Sequence, residues 1–348
     1  HHYVADSWTI SNLLSQLFAH LDGTEITAPS YLDFVKSDSE YPESKKYQKD
    51  KEYWSAKYQD KPTYVSLYLS DTDQHDIRAG RNTYSLNPND TLAIKDYCEK
   101  HEISPAVFFE AIVSLYAMRI NNAEDITLCT ISANRNGTRE KNTVGMFNTI
   151  VPMTVKCDWH ESFSEFCSVI AEEHYSLLRH SKYPLSDILD IVKNNHGNDA
   201  QLYDIMVSCQ ADSIENNGNH KVVWTFNGYC ELGFMMNIDD RTGSGEYHIN
   251  VDYQLKKFAK DDVDKIWARL VNIARQALSD DDILFKDVEI VTATEKNTIL
   301  YEYNQADIDY PKDICVHQIF EKQAEKFPES IAVVCGDEKI TYKALNTR

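Results

Sequence analysis

The sequence predicts an α/β fold. Three observations carry that reading. Segments with apolar residues at helical spacing, such as "SWTISNLLSQLFAHLDG", alternate with short continuous apolar runs, such as "DITLCTIS" and "IVPMTVKC". The stretch "GYCELGFMMNIDDRTGSGEYHINVDY" sets two β runs either side of a polar, glycine-containing turn, the pattern of a hairpin. No segment repeats along the 348 residues, so the mixture is read as an ordinary globular one.

The first helix reads from Ile10 through Leu13, Leu14, Leu17 and Leu21 and closes at Gly23. A charged, tyrosine-rich stretch follows, "YPESKKYQKDKEYWSAKYQD", helical at its end. "TYVSLYLS" alternates and is expected as a strand. "SLNPNDTLAIKDYCEKHEIS" is a helix after an Asn-Pro-Asn start, and "SPAVFFEAIVSLYAMRINN" a long buried one, capped by Ser104 with Pro105 at its first position. "DITLCTISANR" and "IVPMTVKC" read as strands covered on both faces. Then come the helix "SFSEFCSVIAEEHYSLLRHS", the strand "YDIMVSCQ", the hairpin, and the helix "AKDDVDKIWARLVNIARQALSD" with Ile266, Leu270, Ile273 and Leu278 near one face. Beyond that the texture changes. A polar linker over 293–311 precedes a short helix at about 316–326, a turn at Phe327-Pro328, a buried strand "IAVVCG" and the segment "ITYKAL".

Composition narrows the function. Hydrophobic residues at 42% and aromatics at 11% support a sizeable core. Lys plus Arg number 35 against 55 Asp plus Glu, a formal charge of -20, which disfavours nucleic acid and anionic membrane surfaces as partners. No apolar run approaches the ~20 residues of a membrane span, and no signal segment opens the chain. The eight cysteines form no C-x-x-C pair. Cys129 and Cys335, inside apolar runs, read as reduced core residues of a cytoplasmic protein.

The opening stretch "HHYVADSWT" concentrates the chemistry: His1, His2, Asp6 and Trp8. Taken alone, two terminal histidines suggest a tag remnant. Three candidate ligands suggest a metal, although no further strong ligand lies nearby at helical spacing. A catalytic loop is the remaining reading. An imidazole titrating near ~6.5 is well matched to take a proton from an amine titrating near ~8.

Several segments resemble the motifs of condensation domains in non-ribosomal peptide synthetases, in the family's order. "HHYVADSWT" is similar to H-H-x-x-x-D-G-W-S and "YLDFV" to Y-x-D-Y-A. "ISANRN" with "VGMFNTIVPM" is similar to the G-x-F-x-N-T-x-P-x-R region, and "HSKYPLSDIL" to H-x-x-x-P-F. "YEYNQADIDYP" resembles the linker to an adenylation domain and "ITYKALN" the opening of that domain. The departures are Ser7 for the motif glycine, Asn148 one place early with Thr149 in the asparagine slot, Met153-Thr154 without the arginine, and Leu185 for phenylalanine.

The resemblance implies a chloramphenicol-acetyltransferase-like lobe, a mixed sheet with flanking helices. Residues 1–30 would end the first lobe and carry the motif, 31–292 would form the second lobe, 293–311 the linker and 312–348 the start of an adenylation domain. It implies amide formation between an acyl or peptidyl thioester and an aminoacyl thioester. Both would ride on the phosphopantetheine arms of upstream and downstream carrier domains, with no cofactor bound directly. The alternatives are a related acyltransferase forming an ester or N-acyl product, and a non-catalytic platform that docks carriers. His2 would be the catalytic histidine, as general base or by holding the amine or the tetrahedral intermediate. His1, Asp6, Ser7 and Trp8 would support its loop, with Asp6 paired to an arginine earlier in the fold. A missing part of the first lobe would expose a broad apolar face. Gly145, Phe147, Asn148 and Thr149 would lie beside the substrate tunnel, Gly145 for backbone shape. His180 is expected to be structural. The linker is expected to run as an extended strap anchored by Tyr303, Ile308 and Tyr310.

Overall fold

The computed structural model describes residues 4–24, 26–68, 76–135, 137–210, 225–239, 245–305 and 312–348. They divide into two compact units, His1–Thr292 and Ala293–Arg348.

The first unit begins with helices α1 (Ser7–Leu21), α2 (Tyr31–Glu40) and α3 (Lys45–Lys57). Then follow strand β1 (Ala79–Ser85), helices α4 (Pro88–Lys100) and α5 (Pro105–Asn121), β2 (Asp125–Ser132), the short α6 (Thr138–Lys141) and β3 (Thr149–Lys156). Helices α7 (Phe163–His180) and α8 (Leu185–His196), strands β4 (Ile205–Gln210), β5 (Phe234–Asp239) and β6 (His248–Gln254), and helix α9 (Lys260–Ser279) complete it. The strands form one mixed sheet in the order β1-β6-β5-β4-β2-β3. β4 runs parallel to β2 and β5, and the other pairs are antiparallel.

Pleating explains what each face of the sheet does. On β5 and β6, Phe234, Met236, Ile238, Ile249, Val251 and Tyr253 are buried in the core. The alternating residues Met235, Asn237 and Asn250 turn to the opposite face and line a cavity. Helix α5 is the centre of the core: every residue from Val107 to Met118 is buried. Ser104 caps it and Pro105 starts it, as the sequence predicts. α7 carries a full capping box, with Ser162 and Glu165 each bonding the other's backbone N–H. Among the described residues no single helix is long and apolar enough to cross a membrane.

Helix α1 is inverted relative to an ordinary surface helix. Its polar residues Thr9 and Ser11 are buried, while Leu13, Leu17 and Leu21 are 45%, 50% and 70% exposed. Leu32 and Val35 on α2 are also exposed.

The segment expected as a strand, "TYVSLYLS", forms no ladder over its described part. Val65 and Leu67 are buried, so its alternation is real. Its polar groups bond elsewhere: the Ser66 hydroxyl donates to Asp204 and its carbonyl accepts from Asn121 Nδ2. Instead one edge of the sheet is β1, "AGRNTYS", whose polar composition conceals it; Gly80 is there because the Tyr253 ring crosses it.

The second unit holds α10 (Ala293–Asn297), a π-helical turn (Thr298–Glu302), α11 (Val316–Lys326), the hairpin β7 (Ile331–Cys335) and β8 (Glu338–Thr341), and α12 (Tyr342–Thr347). Two expectations fail here. The strand "IAVVC" is not buried: Ile331, Val333 and Val334 are 51%, 42% and 59% exposed, and Cys335 is exposed, because a two-stranded sheet has too few neighbours to cover it. The linker opens as helical turns and Tyr303 is 78% exposed, so the described part of the expected strap, 301–305, is not extended along a neighbour. Ile308 and Tyr310 lie outside the described residues.

Candidate functional site

The structure describes the motif from Val4 onward; His1 and His2 lie outside the described residues. Asp6 is the N-cap of α1, its backbone extended and its carboxylate accepting from the Thr9 N–H at 2.8 Å. The same carboxylate accepts from the Phe147 N–H at 3.0 Å. Arg135 Nη2 lies 2.9 and 3.0 Å from its two oxygens, and both side chains are fully buried. Arg135 also donates to the carbonyls of Thr143 and Gly145, and its guanidinium lies 4.1 Å from the Phe147 ring centroid. Burial pushes the Asp6 carboxyl up, but the Thr9 and Phe147 N–H groups and Arg135 outweigh it and hold the carboxyl below its ordinary range.

The expectation of an arginine earlier in the fold is corrected: Asp6 pairs with Arg135, which follows β2. The sequence placed Arg135 inside "ISANRN" without assigning it a role. Its only signal was a lone cation at the end of an apolar strand. A partner 129 residues away is invisible to local patterning.

Around this ion pair the predicted residues separate by role. Thr9 Oγ1 donates to the Gly145 carbonyl at 2.6 Å and accepts from the Gly145 N–H at 2.9 Å, so Gly145 is locked to α1. A Cβ on Gly145 would meet the Tyr31 ring at 2.1 Å. The glycine is therefore required by the close approach of that ring. Tyr31 and Phe34, from "YLDFV", pack on Phe147 with centroids 5.4 and 4.3 Å away, and the Tyr31 hydroxyl donates to the Met146 carbonyl. Gly145 and Phe147 thus belong to the buried clamp. Trp8 is half-buried, and Thr149 starts β3 opposite Ser132.

Ser7 sits inside the first turn of α1, in ordinary helical geometry, and donates to Gln210 Oε1 at 3.0 Å. The change from glycine introduces no strain there. Ser7 and Asn148 line an open cavity of about 660 Å³ against the sheet, with Asp6, Arg81, Gln210, Asn237 and Asn250. Among the described residues no cluster of three or more His, Cys, Asp or Glu is placed to hold a metal ion.

His180 ends α7. Its Nδ1 lies 2.6 Å from the buried carboxylate of Asp50, its ring stacks on Tyr53, and its carbonyl accepts from Trp54 Nε1. Tyr41 also donates to Asp50. That network ties α3 to the end of α7, away from the cavity, and is structural.

The condensation-domain family model matches residues 1–300. Among curated proteins, the chain is 24% identical to surfactin synthase subunit 1 of Bacillus subtilis (strain 168) over 99% of its length, and 25% identical to the dimodular nonribosomal peptide synthase of the same organism over 90%. It spans only 10% and 13% of those relatives. Among solved structures, the first condensation domain of the calcium-dependent antibiotic synthetase superposes with a TM-score of 0.72 at 18% identity, covering 84% of this chain and 67% of that one. The condensation domain of the monacolin K polyketide synthase superposes with a TM-score of 0.71 at 15% identity, over 82% and 69%. The fold, the ordered motifs and the family match agree, and the chain belongs to the condensation-domain family of the non-ribosomal peptide synthetases.

Proposed function

We propose that this chain carries the motif-bearing part of a domain that forms an amide bond between two carrier-bound thioesters. The acceptor amine attacks the donor's thioester carbonyl, the tetrahedral intermediate collapses, and the pantetheine thiol leaves. His2 takes the proton the amine loses, and that proton passes to the departing thiolate. The observation that carries this reading is the buried Asp6–Arg135 clamp, which fixes the segment following the two histidines at the rim of the cavity. A loop held by an ion pair with both partners out of water keeps its position while substrates come and go, and positioning of this kind is a large part of the rate. His1 shapes the loop. Ser7 completes the first turn of α1 without strain, so this departure from the family pattern does not distort the start of the helix.

The partners of this reading are the upstream and downstream carrier domains, whose phosphopantetheine arms deliver both substrates. The exposed leucines of α1 and the side chains of Leu32 and Val35 are a packing surface for the rest of a two-lobed domain. The unit from Ala293 onward is read as a linker, 293–311, and the opening of an adenylation domain, 312–348. The reduced cysteines and the absence of a long apolar helix among the described residues fit a cytoplasmic synthetase.

The test is a condensation assay on the intact synthetase with both carriers loaded, reading the acceptor carrier by mass spectrometry. The wild type is expected to accumulate the condensed thioester, and His2→Ala to slow it by ~10²–10⁴-fold with carrier loading unchanged. Wild-type rates in His2→Ala would sink the assignment.

A further inference from the structure

The segment "HSKYPL" stands among the ordered motifs, yet it supplies no side chain to the Asp6–Arg135 pair and none to the lining of the cavity. Its place is set by α3. Side chains of that helix take the carbonyls that close α7: Lys46 Nζ donates to the Arg179 carbonyl at 2.6 Å and Trp54 Nε1 to the His180 carbonyl at 3.2 Å. Ser181 comes next and is buried. Its hydroxyl donates to Asn134 Oδ1 at 2.7 Å, a contact between residues 47 apart in sequence.

Asn134 connects that contact to the motif through its backbone. Its φ is +48°, in the left-handed region, which strains most side chains and which asparagine is among the few to tolerate. Ser132, the last residue of β2, also holds it: Ser132 Oγ lies 3.2 Å from Asn134 Oδ1 and accepts from the Asn134 N–H at 3.4 Å. The residue after this turn is Arg135, whose side chain is buried against Asp6. The guanidinium end of Arg135 is held by the carbonyls of Glu140, Thr143 and Gly145. Its main-chain end takes its direction from Asn134.

We infer that Ser181 is a positioning residue for condensation: it holds Asn134 in the left-handed turn that delivers Arg135 to Asp6, so the end of α7 sets where the motif loop stands. This rests on the condensation reading above. Ser181 does not line the cavity and acts only through Asn134 and Arg135 on Asp6, which does. A hydroxyl has one proton to give, and a second acceptor, the Leu178 carbonyl, lies 3.1 Å from Ser181 Oγ. Donation there would serve α7 alone. The two roles differ in one respect: only the first needs the side chain of Asn134.

The experiment uses the intact synthetase with both carriers loaded and reads the single-turnover rate of amide formation by mass spectrometry. Asn134→Ala loses both the tolerance for a positive φ and the bond to Ser181, and is expected to slow condensation by about tenfold or more. Asn134→Gly, which takes that φ freely, is expected to recover about threefold or more of the loss. Packing alone predicts the reverse order, since alanine fills more of the space. Ser181→Ala is expected to slow the wild-type chain by about threefold or more, and to change nothing in the Asn134→Gly background, where no side chain remains for the hydroxyl to hold. Alanine faster than glycine at 134, wild-type rates in Ser181→Ala, or an equal loss from Ser181→Ala in both backgrounds would each overturn the inference. Should Asn134→Ala not fold, the Ser181 comparison in the asparagine and glycine backgrounds decides alone. Urea unfolding of the first unit tests the same link without chemistry: Asn134→Ala and Arg135→Met should lose less together than the sum of their single losses, and strict additivity would overturn the inference. Amide formation at unaltered rates in the variants overturns this assignment alone. No amide from the wild type, with both carriers shown to be loaded, overturns the proposed reaction, and the urea cycle then decides the turn.

Discussion

Replacing Arg135 by methionine should cost the first unit about 3 kcal/mol or more. The side chains of Arg135 and Asp6 are both 0% exposed, so the variant leaves a carboxylate in the interior without its cation. Breaking a buried pair from one side costs about 3–5 kcal/mol. The lower end applies because the Thr9 and Phe147 N–H groups still reach Asp6, and because the methionine stem keeps some of the packing on Phe147. Asp6→Leu should cost a similar amount, since it strands the guanidinium and frees those two N–H groups. The double variant Asp6→Leu/Arg135→Met removes both charges and should lose about 2 kcal/mol less than the sum of the singles. Urea unfolding of each variant at neutral pH, followed by tryptophan fluorescence and analysed for the first unit's transition, gives the cycle. The pH dependence follows from the lowered carboxyl. A group that ionises more readily when folded contributes its stability above its unfolded value, near 3.8, and loses it as pH falls through the lower folded value. The gap between wild type and Asp6→Asn should therefore be constant at neutral pH and close only below about pH 4. A loss under about 1 kcal/mol in Arg135→Met, or strict additivity in the cycle, would refute the view that this pair anchors the motif.

In the intact synthetase, His1→Ala should slow condensation less than His2→Ala; the reverse order in a mass-spectrometric rate assay would exchange their roles. Gly145→Ala should lose about 1–3 kcal/mol, because the new methyl overlaps the Tyr31 ring, and the melting temperature should recover in part when Tyr31→Ala is added. His174 lies 3.2 Å from the fully buried Glu110. Burial pushes the imidazole down, but the nearby Glu110 charge, with that of Glu173, outweighs it and raises its pKa above 6.5. Its stabilisation is then complete below 6.5 and lost as pH rises through the higher folded value, so the advantage of wild type over His174→Gln in urea should shrink on that side; an advantage that grows with pH would reverse the assignment. Cys315 and Cys335 are exposed and should react at once with a thiol reagent, ahead of Cys209, while the buried Cys98, Cys129, Cys157, Cys167 and Cys230 should wait for unfolding.

Local pattern was enough to place most of the elements. Helix α5 was readable because its apolar run, Ser104 cap and Pro105 are neighbours in sequence, and α11 because its period and the Phe327-Pro328 stop are local. β5 and β6 were readable because their alternation brackets a turn. The order of motifs disclosed the family. Local pattern misled where pairing decides: "TYVSLYLS" alternates like a strand and stays out of the sheet, while polar β1 enters it because β6 offers an edge. The buried strand expected at "IAVVC" failed for the complementary reason, since apolar composition states a preference for burial but not what is present to supply it.

The candidate site divides in the same way. The sequence alone determined its residue types: two histidines, the aspartate, the glycine and the asparagine. Only the tertiary structure decided that Asp6 is held by Arg135, that Gly145 is a glycine because Tyr31 lies on it, that Phe147 belongs to the clamp, and that Asn148 lines the cavity. The physical reason is range. Helical period, caps and turns act over a few residues and are written in the order of the chain. Ion pairing, close packing and orphaned hydrogen bonds act through space, between groups that the chain brings together only when it closes.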